Sequence, residues 1–166
     1  MSLTKRVLGF GLAVVLLAIG VPVSQAFAST GVKAVVDLSQ QRMRVYIDGE
    51  HEYTWKVSTA RKGHVTPTGS WRPYWLNKKH YSKKYDNAPM PYSVFYNKDY
   101  AVHGTYSTHR LGRPASHGCI RLHTANARRL FNLVKKHGKS NSRIVVVNRN
   151  GDRVADNSEY QPAFVH

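Results

Sequence analysis

Alternating apolar and polar residues predict that the chain opens with β-structure. Residues 42–47 begin with a strict alternation of basic and apolar side chains, a period of two that is typical of a half-buried strand. Asp48-Gly49 is a hairpin-turn sequence, and it is followed by a return strand predicted over 52–58. An apolar segment over 32–37 adds a strand before this hairpin, so the pattern predicts a β-meander.

The rest of the chain carries further strand patterns and one helix pattern. Short apolar or aromatic runs predict strands over 70–76, 92–96, 100–103 and 143–148. A helix is predicted to begin after an N-cap at Thr124 and to end at Gly138. Its apolar stripe, at spacing i, i+3, i+4 and i+7, consists of Ala127, Leu130, Phe131 and Val134. The fold class is therefore predicted to be mainly β with one principal α-helix.

Residues 77–91 interrupt the strand pattern. Lysines and a histidine alternate there with Tyr81 and Tyr85, and aliphatic residues are few. We predict a long surface excursion, which is either a solvated charged loop or a lid that contacts substrate.

The first 28 residues resemble a targeting segment rather than part of the fold. Lys5 and Arg6 precede an apolar run over 7–23, and Ala26-Phe27-Ala28 forms a small-x-small cleavage pattern. We predict a secretory signal peptide over 1–28, one domain over 29–148 and a polar C-terminal tail over 149–166. An uncleaved membrane anchor is the alternative, although glycines and a proline weaken the run as a membrane span.

The charge of the chain is strongly positive. The formal net charge is +16, and removal of Lys5 and Arg6 with a signal peptide would leave +14. Such a charge favours polyanions, and anionic envelope polymers or lipid head groups suit an exported protein better than nucleic acid, for which no recognition motif appears. A basic surface without a specific partner is the alternative.

Cys119 is the only cysteine in the chain, and it lies in the segment PASHGCIRL over 114–122. A single thiol in an oxidising compartment forms no internal disulfide, so its retention favours a chemical role. Three readings are open: a buried core residue, a metal ligand and a nucleophile. Metal binding is disfavoured because the nearby histidines do not form a second closely spaced ligand pair with Cys119.

A nucleophilic thiol needs a base and an exposed position. A neighbouring imidazole is expected to lower the pKa of the thiol and to supply the thiolate. His103, at the end of a predicted strand, is the best-placed base, and His109 is a less constrained candidate. Gly118 would let the backbone bend sharply and let substrate approach closely.

Two motifs resemble the signature of L,D-transpeptidases with a YkuD-type catalytic domain. His103-Gly104-Thr105 is followed by Ser116-His117-Gly118-Cys119, with twelve residues between His103 and Ser116. An upstream Thr-Pro-x-Gly loop over 66–69 also matches that family. The resemblance covers about 32–147 and implies a β-sandwich of the L,D-transpeptidase catalytic-domain type.

The same resemblance implies roles for individual residues. Cys119 would be the nucleophile, and His103 the general base oriented by the carbonyl of Gly104. Backbone N–H groups at Gly118 and Cys119, with His117, would form the oxyanion hole. The expected substrate-binding residues are Ser116, Arg121 and Tyr92, of which Arg121 would either bind a stem-peptide carboxylate or brace its loop. No metal or other cofactor is implied.

The implied reaction takes place on peptidoglycan stem peptides in the periplasm or the cell-wall space. The enzyme would break the bond between the third, L-centred residue and the fourth, D-residue of a tetrapeptide stem, and pass the acyl group to an amine to give a 3→3 cross-link. Water as the acceptor would make it an L,D-carboxypeptidase, and a protein lysine would make it an anchoring enzyme. A non-catalytic cell-wall binding protein is the alternative of another class. A papain-like peptidase is disfavoured because its cysteine precedes its histidine in the chain.

Overall fold

Residues 30–149, which the computed structural model describes, form two β-sheets and one α-helix. The strands, in chain order, are β1 (Val32–Asp37), β2 (Arg42–Ile47), β3 (Glu50–Lys56), β4 (Gly69–Trp71), β5 (Trp75–Ser82), β6 (Ala88–Asn97), β7 (Tyr100–Thr105), β8 (Ile120–His123) and β9 (Ser142–Val147). The helix α1 spans Thr124–His137, and a short 3-10 helix spans Thr108–Arg110. The mainly β class with one principal helix is thereby confirmed. The predicted signal peptide over 1–28 and all of the predicted tail except Arg149 lie outside the described residues.

The first sheet has the strand order β3-β2-β1-β9-β4. The hairpin predicted at Asp48-Gly49 joins β2 and β3, and β1 pairs antiparallel with β2. On its other side β1 pairs in parallel with β9, the last strand. Alternate residues of β1 are buried, as the apolar pattern requires.

The second sheet has the order β5-β6-β7-β8, in which only the β7–β8 pair is parallel. Val102 of β7 is paired with Ile120 of β8, and both side chains are fully buried in the core between the sheets. The opposite, outer face of this sheet carries the residues of the site described below.

The helix closes the core. Its predicted stripe is confirmed, with Ala127, Leu130 and Val134 buried and Phe131 partly buried against the same cluster. The N-cap prediction is wrong by one residue: His123 is the cap, and its Nδ1 accepts a hydrogen bond from the N–H of Ala125 at 3.3 Å. Within residues 30–149 no helix is long and apolar enough to cross a membrane.

Residues 77–91 are not the excursion that their composition suggests. They belong to a long hairpin in which β5 and β6 pair from Trp75↔Phe95 to Ser82↔Ala88, and only the tip over 83–87 is a turn. β5 lies at the edge of its sheet and most of its residues stay accessible to solvent, so the apolar alternation of a strand is missing. The predicted strand over 70–76 is likewise divided into β4 and β5 by residues 72–74.

Candidate active site

Cys119, His103 and Arg121 lie on the outer face of the second sheet. Val102 and Ile120 face the core, so their neighbours along β7 and β8 face outward, and His103 is paired in register with Arg121. Cys119 comes directly before β8 and two residues before Arg121, so its side chain lies on the same face as that of Arg121. The parallel register therefore brings the distant histidine and the cysteine onto adjacent strands of one face.

The Cys119 thiol is partly buried and sits over the start of β7. Its Sγ lies 3.7 Å from the carbonyl oxygen of Asp99, and its side chain packs against the cluster of Met90, Phe95 and Ala101. Burial raises the pKa of the thiol, and the N–H of Ala101 and the Arg121 cation offset only part of that effect. The resting sulfur is therefore a protonated thiol, which corrects the expectation that a neighbouring imidazole generates a standing thiolate.

His103 is held in one tautomer. Its Nδ1 donates to the carbonyl oxygen of Gly104 at 2.8 Å, so Nδ1 carries the proton and Nε2 is the proton acceptor. The side chain is 5% exposed, and burial, with a smaller contribution from the Arg121 cation, lowers the pKa of His103 to about 4. The imidazole is thus neutral at physiological pH and able to take a proton.

Gly104 has a second, steric role. A Cβ at this position would come within 3.0 Å of Cα of Thr124 and 3.2 Å of Cγ of Pro91. Only a residue without a side chain lets the first turn of α1 pack this closely on β7. The residue whose carbonyl orients His103 is thereby fixed between a helix and a strand.

Gly118 is closely surrounded by backbone and ring atoms. Its φ is +136°, and a Cβ there would lie 2.6 Å from Cε1 of Tyr100 and 2.8 Å from the carbonyl oxygen of Val65. The hydroxyl of Thr66 donates to the carbonyl oxygen of Gly118 at 2.7 Å. The Thr-Pro-x-Gly loop therefore positions the residue that precedes the thiol.

Ser116, which was predicted to bind substrate, is buried within its loop. It is 1% exposed, and its Oγ accepts a hydrogen bond from the N–H of Gly118 at 3.0 Å. A residue so deeply buried braces the loop instead of contacting substrate. The same bond occupies the N–H of Gly118, so this amide is not available to an oxyanion in the observed conformation.

Arg121 is half-buried and faces other cations. Its Nη1 donates to the carbonyl oxygen of Ala115 at 3.3 Å. This hydrogen bond supports the second of the two roles predicted for Arg121, in which it braces its own loop. Burial lowers the pKa of Arg121, as do the neighbouring Arg110 and Arg61. The site is therefore electropositive, a property that suits an anionic substrate group.

His117 connects the active-site loop, the segment that directly precedes Cys119, to the tip of the β5–β6 hairpin. Its ring stacks on Tyr85 with centroids 4.4 Å apart and planes at 13°, and it meets His64 edge-on at 4.8 Å. No sequence motif indicated His64 as a site residue, and Tyr85 was predicted only as part of a charged excursion. No local signal identifies this contact, because it depends on how the hairpin folds over the sheet.

The structure does not bring every candidate to this cluster. Tyr92 packs against Phe131 of α1 with ring centroids 5.9 Å apart, on the core side of β6 and away from the face that carries Cys119, so its position does not support the predicted role in substrate binding. His109 is exposed in the 3-10 helix, and His123 caps α1. Across residues 30–149, no group of three histidine, cysteine or acidic side chains is arranged to hold a metal ion.

Comparisons with known proteins identify a family and structures with a similar fold. The model of the YkuD L,D-transpeptidase catalytic domain matches residues 31–155. No curated protein matches the chain. Among solved structures, an L,D-transpeptidase from Stackebrandtia nassauensis is 28% identical with a TM-score of 0.63, over 74% of this chain and 58% of its own.

Two more distant structures share the fold. An L,D-transpeptidase from Xylanimonas cellulosilytica is 25% identical with a TM-score of 0.58, over 71% of this chain and 61% of its own. One from Mycobacterium smegmatis is 20% identical with a TM-score of 0.63, over 70% of this chain and 58% of its own, which shows the fold alone. The present chain spans less than two thirds of the length of each of these relatives.

Proposed function

Because the chain belongs to the YkuD L,D-transpeptidase catalytic-domain family, we propose that it is a peptidoglycan L,D-transpeptidase with Cys119 as nucleophile and His103 as general base. The observation that supports this assignment best is the tautomer of His103, whose Nδ1 is held by Gly104 while Nε2 can accept a proton on the face that carries the thiol. A buried neutral imidazole beside a lone cysteine is the pairing that nucleophilic catalysis requires.

The proposed first step starts from neutral partners. The Sγ–H proton passes to Nε2 of His103 as sulfur attacks the carbonyl carbon of the third stem residue. The imidazolium then gives this proton to the nitrogen of the departing D-residue, and a thioester forms. Because the pKa of His103 is lowered, its imidazolium is a stronger acid than an ordinary one, which favours protonation of the leaving amine.

The negative charge on the carbonyl oxygen needs hydrogen-bond donors. We assign this role to the backbone N–H of Cys119, with that of His117 as a second candidate, because the N–H of Gly118 is bonded to Ser116. Arg121, two residues beyond the thiol, adds a positive charge to the same region. We propose that it also attracts a carboxylate of the stem peptide.

The second step determines the product. An amine from a neighbouring stem would resolve the thioester into a 3→3 cross-link, water would give an L,D-carboxypeptidase, and a protein lysine would anchor that protein to the wall. The proposed location is the periplasm or the cell-wall space, and this rests on the targeting pattern of residues 1–28.

Acylation and release of D-alanine test the proposal. A structure of L,D-transpeptidase 3 from Mycobacterium tuberculosis holds a faropenem-derived adduct, so this drug is a suitable probe. Intact-protein mass spectrometry should show one adduct on the wild type and none on Cys119→Ala. The wild type should also release D-alanine from a disaccharide-tetrapeptide, and muropeptide analysis of the products identifies the acceptor. Failure to form an adduct together with failure to release D-alanine would contradict an enzymatic role.

A further inference from the structure

A row of side chains crosses the outer face of the second sheet from the thiol to an exposed tryptophan. Trp75 of β5 is paired with Phe95 of β6, and Phe95 with Ala101 of β7. The register of the next pair places Cys119 beside Ala101. Ala101 is fully buried and Phe95 nearly so, so the row is accessible to solvent mainly at its two ends, Cys119 and Trp75.

At the far end of this row, Trp75, Phe95 and His80 form an aromatic platform. Trp75 stacks on Phe95 with centroids 4.7 Å apart and planes at 25°, and the ring of His80 meets both edge-on at 5.4 and 5.0 Å. Trp75 nevertheless remains 43% exposed. Because Phe95 covers one face of the indole, the accessible surface belongs to its other face and to its edge.

The surroundings of the platform are polar. Tyr74, 49% exposed, lies beside Phe95, and Asn77 is the next residue of β5 on the same face. A flat apolar ring with hydroxyl and amide groups at its margin suits a sugar, whose C–H groups stack on the ring while its hydroxyls find hydrogen-bond partners.

The distance from the thiol to the platform fits a glycan-linked stem. Three strand spacings separate Cys119 from Trp75, about 14 Å. Three extended residues, from the scissile carbonyl back to the first residue of a stem, span roughly 10 Å, and the lactyl ether that joins the stem to its sugar adds several more. A stem acylated at the sulfur and extended across this face of the sheet would therefore place its sugar at Trp75.

We propose that Trp75, supported by Phe95 and His80, is a subsite for a sugar ring of the glycan strand that carries the donor stem. This subsite rests on the proposed function, since it assumes that the acyl donor is a peptidoglycan stem. It extends that function by making the enzyme recognise the carbohydrate as well as the peptide.

The test compares two substrates on each protein. Release of D-alanine is measured from a free tetrapeptide and from the same tetrapeptide attached to its disaccharide. We expect the wild type to favour the disaccharide form in kcat/KM by about tenfold, which is the order of one stacking contact. In Trp75→Ala this preference should fall to near one.

The matched control is Tyr81→Ala, which removes an exposed aromatic ring from the same strand at a residue paired with Pro89 near the hairpin tip. Tyr81→Ala should keep the wild-type preference. An unchanged preference in Trp75→Ala, or equal rates for the two substrates in the wild type, would overturn the subsite while leaving the proposed function intact.

If neither substrate turns over, the proposed function is contradicted. A binding measurement then tests the sugar subsite independently of turnover. Titration with a β-1,4-linked tetramer of N-acetylglucosamine should change the indole fluorescence of the wild type and of Tyr81→Ala, and should leave that of Trp75→Ala unchanged. The same response in all three proteins, or in none, would exclude Trp75 as a sugar platform.

Discussion

His103 and Arg121 are register partners on two adjacent parallel strands, so a buried imidazole lies beside a guanidinium. The cation acts on both members of the proposed catalytic pair, because it lowers the pKa of His103 and also that of Cys119. Burial acts on them in opposite directions, since it lowers the pKa of the base and raises that of the thiol. The outcome is a neutral pair at rest.

Stability should depend on the protonation of His103. Its folded-state pKa of about 4 is below the ordinary value of 6.5, so between these values the unfolded chain binds a proton that the folded protein does not. The free energy of unfolding should therefore fall with decreasing pH across this window, by up to about 1.4 kcal/mol per pH unit. Urea unfolding at a series of pH values measures it. His103→Gln should flatten the dependence, and the same slope in that variant would locate the effect elsewhere.

Removal of the cation should raise two pKa values together. In Arg121→Gln, the pH at which Cys119 reacts half-maximally with iodoacetamide should move upward, because the thiolate loses its stabilising charge. The acid limb of turnover should also move upward as the pKa of His103 rises. Arg143→Gln, which removes an exposed arginine of the other sheet, is the control. Movement of the alkylation profile toward lower pH would contradict this electrostatic account.

Only one of the nearby histidines should be essential for acylation. His103→Ala should slow formation of the faropenem adduct by at least about a hundredfold, which is typical of a lost general base. His109→Ala should react at nearly the wild-type rate. His123→Ala should acylate normally but lose about 1 kcal/mol of stability, because it removes the cap of α1. Equal losses of acylation in all three variants would mean that the base has been misassigned.

A methyl group at Gly118 should not be tolerated. Gly118→Ala places a Cβ against the ring of Tyr100 and the backbone of Val65, so we expect a loss of about 3 kcal/mol in denaturant unfolding and impaired acylation. Gly63→Ala is the matched control: its φ is also positive, at +81°, but in the described structure its Cβ would meet no atom within 4 Å. That variant should lose only about 1 kcal/mol. Comparable losses in the two variants would show that backbone strain, not crowding, fixes Gly118.

The tip of the β5–β6 hairpin should be anchored by its stack on the active-site loop. In Tyr85→Ala, amide hydrogen exchange should accelerate over 83–87 and also over 116–118, because the ring that covers His117 is gone. Tyr81→Ala should leave exchange over 116–118 unchanged. If the two variants gave the same exchange pattern, the stack would have no influence on the loop.

The elements that bury one face were predictable from the sequence, whereas those at the sheet edge were not. The alternation in 42–47 gave β2 with its bounds, and the stripe through Leu130 gave the buried face of α1. The prediction missed β5 because an edge strand that is accessible on both faces keeps lysines where a buried strand needs apolar residues.

The site shows the same division. Local motifs indicated Cys119 and His103 as the candidate catalytic pair, which stays a prediction, and the resemblance to the family is confirmed by the match over 31–155. The contact of Tyr85 with His117 and the row from Cys119 to Trp75 depend on strand order and register. Those are relations between distant segments, and no short stretch of sequence encodes them. Tyr92 was misplaced for a related reason: its position in the chain could not indicate that its ring turns toward α1.

The parallel pairing of β1 with β9 also has a consequence for how the chain folds. Val32 pairs with Ser142, so the first sheet lacks its central contact until nearly the whole domain has been synthesised. Pairings between such distant segments form slowly, because a long loop must close before any contact compensates for its entropy. The newly made polypeptide therefore cannot complete its first sheet until β9 has been synthesised.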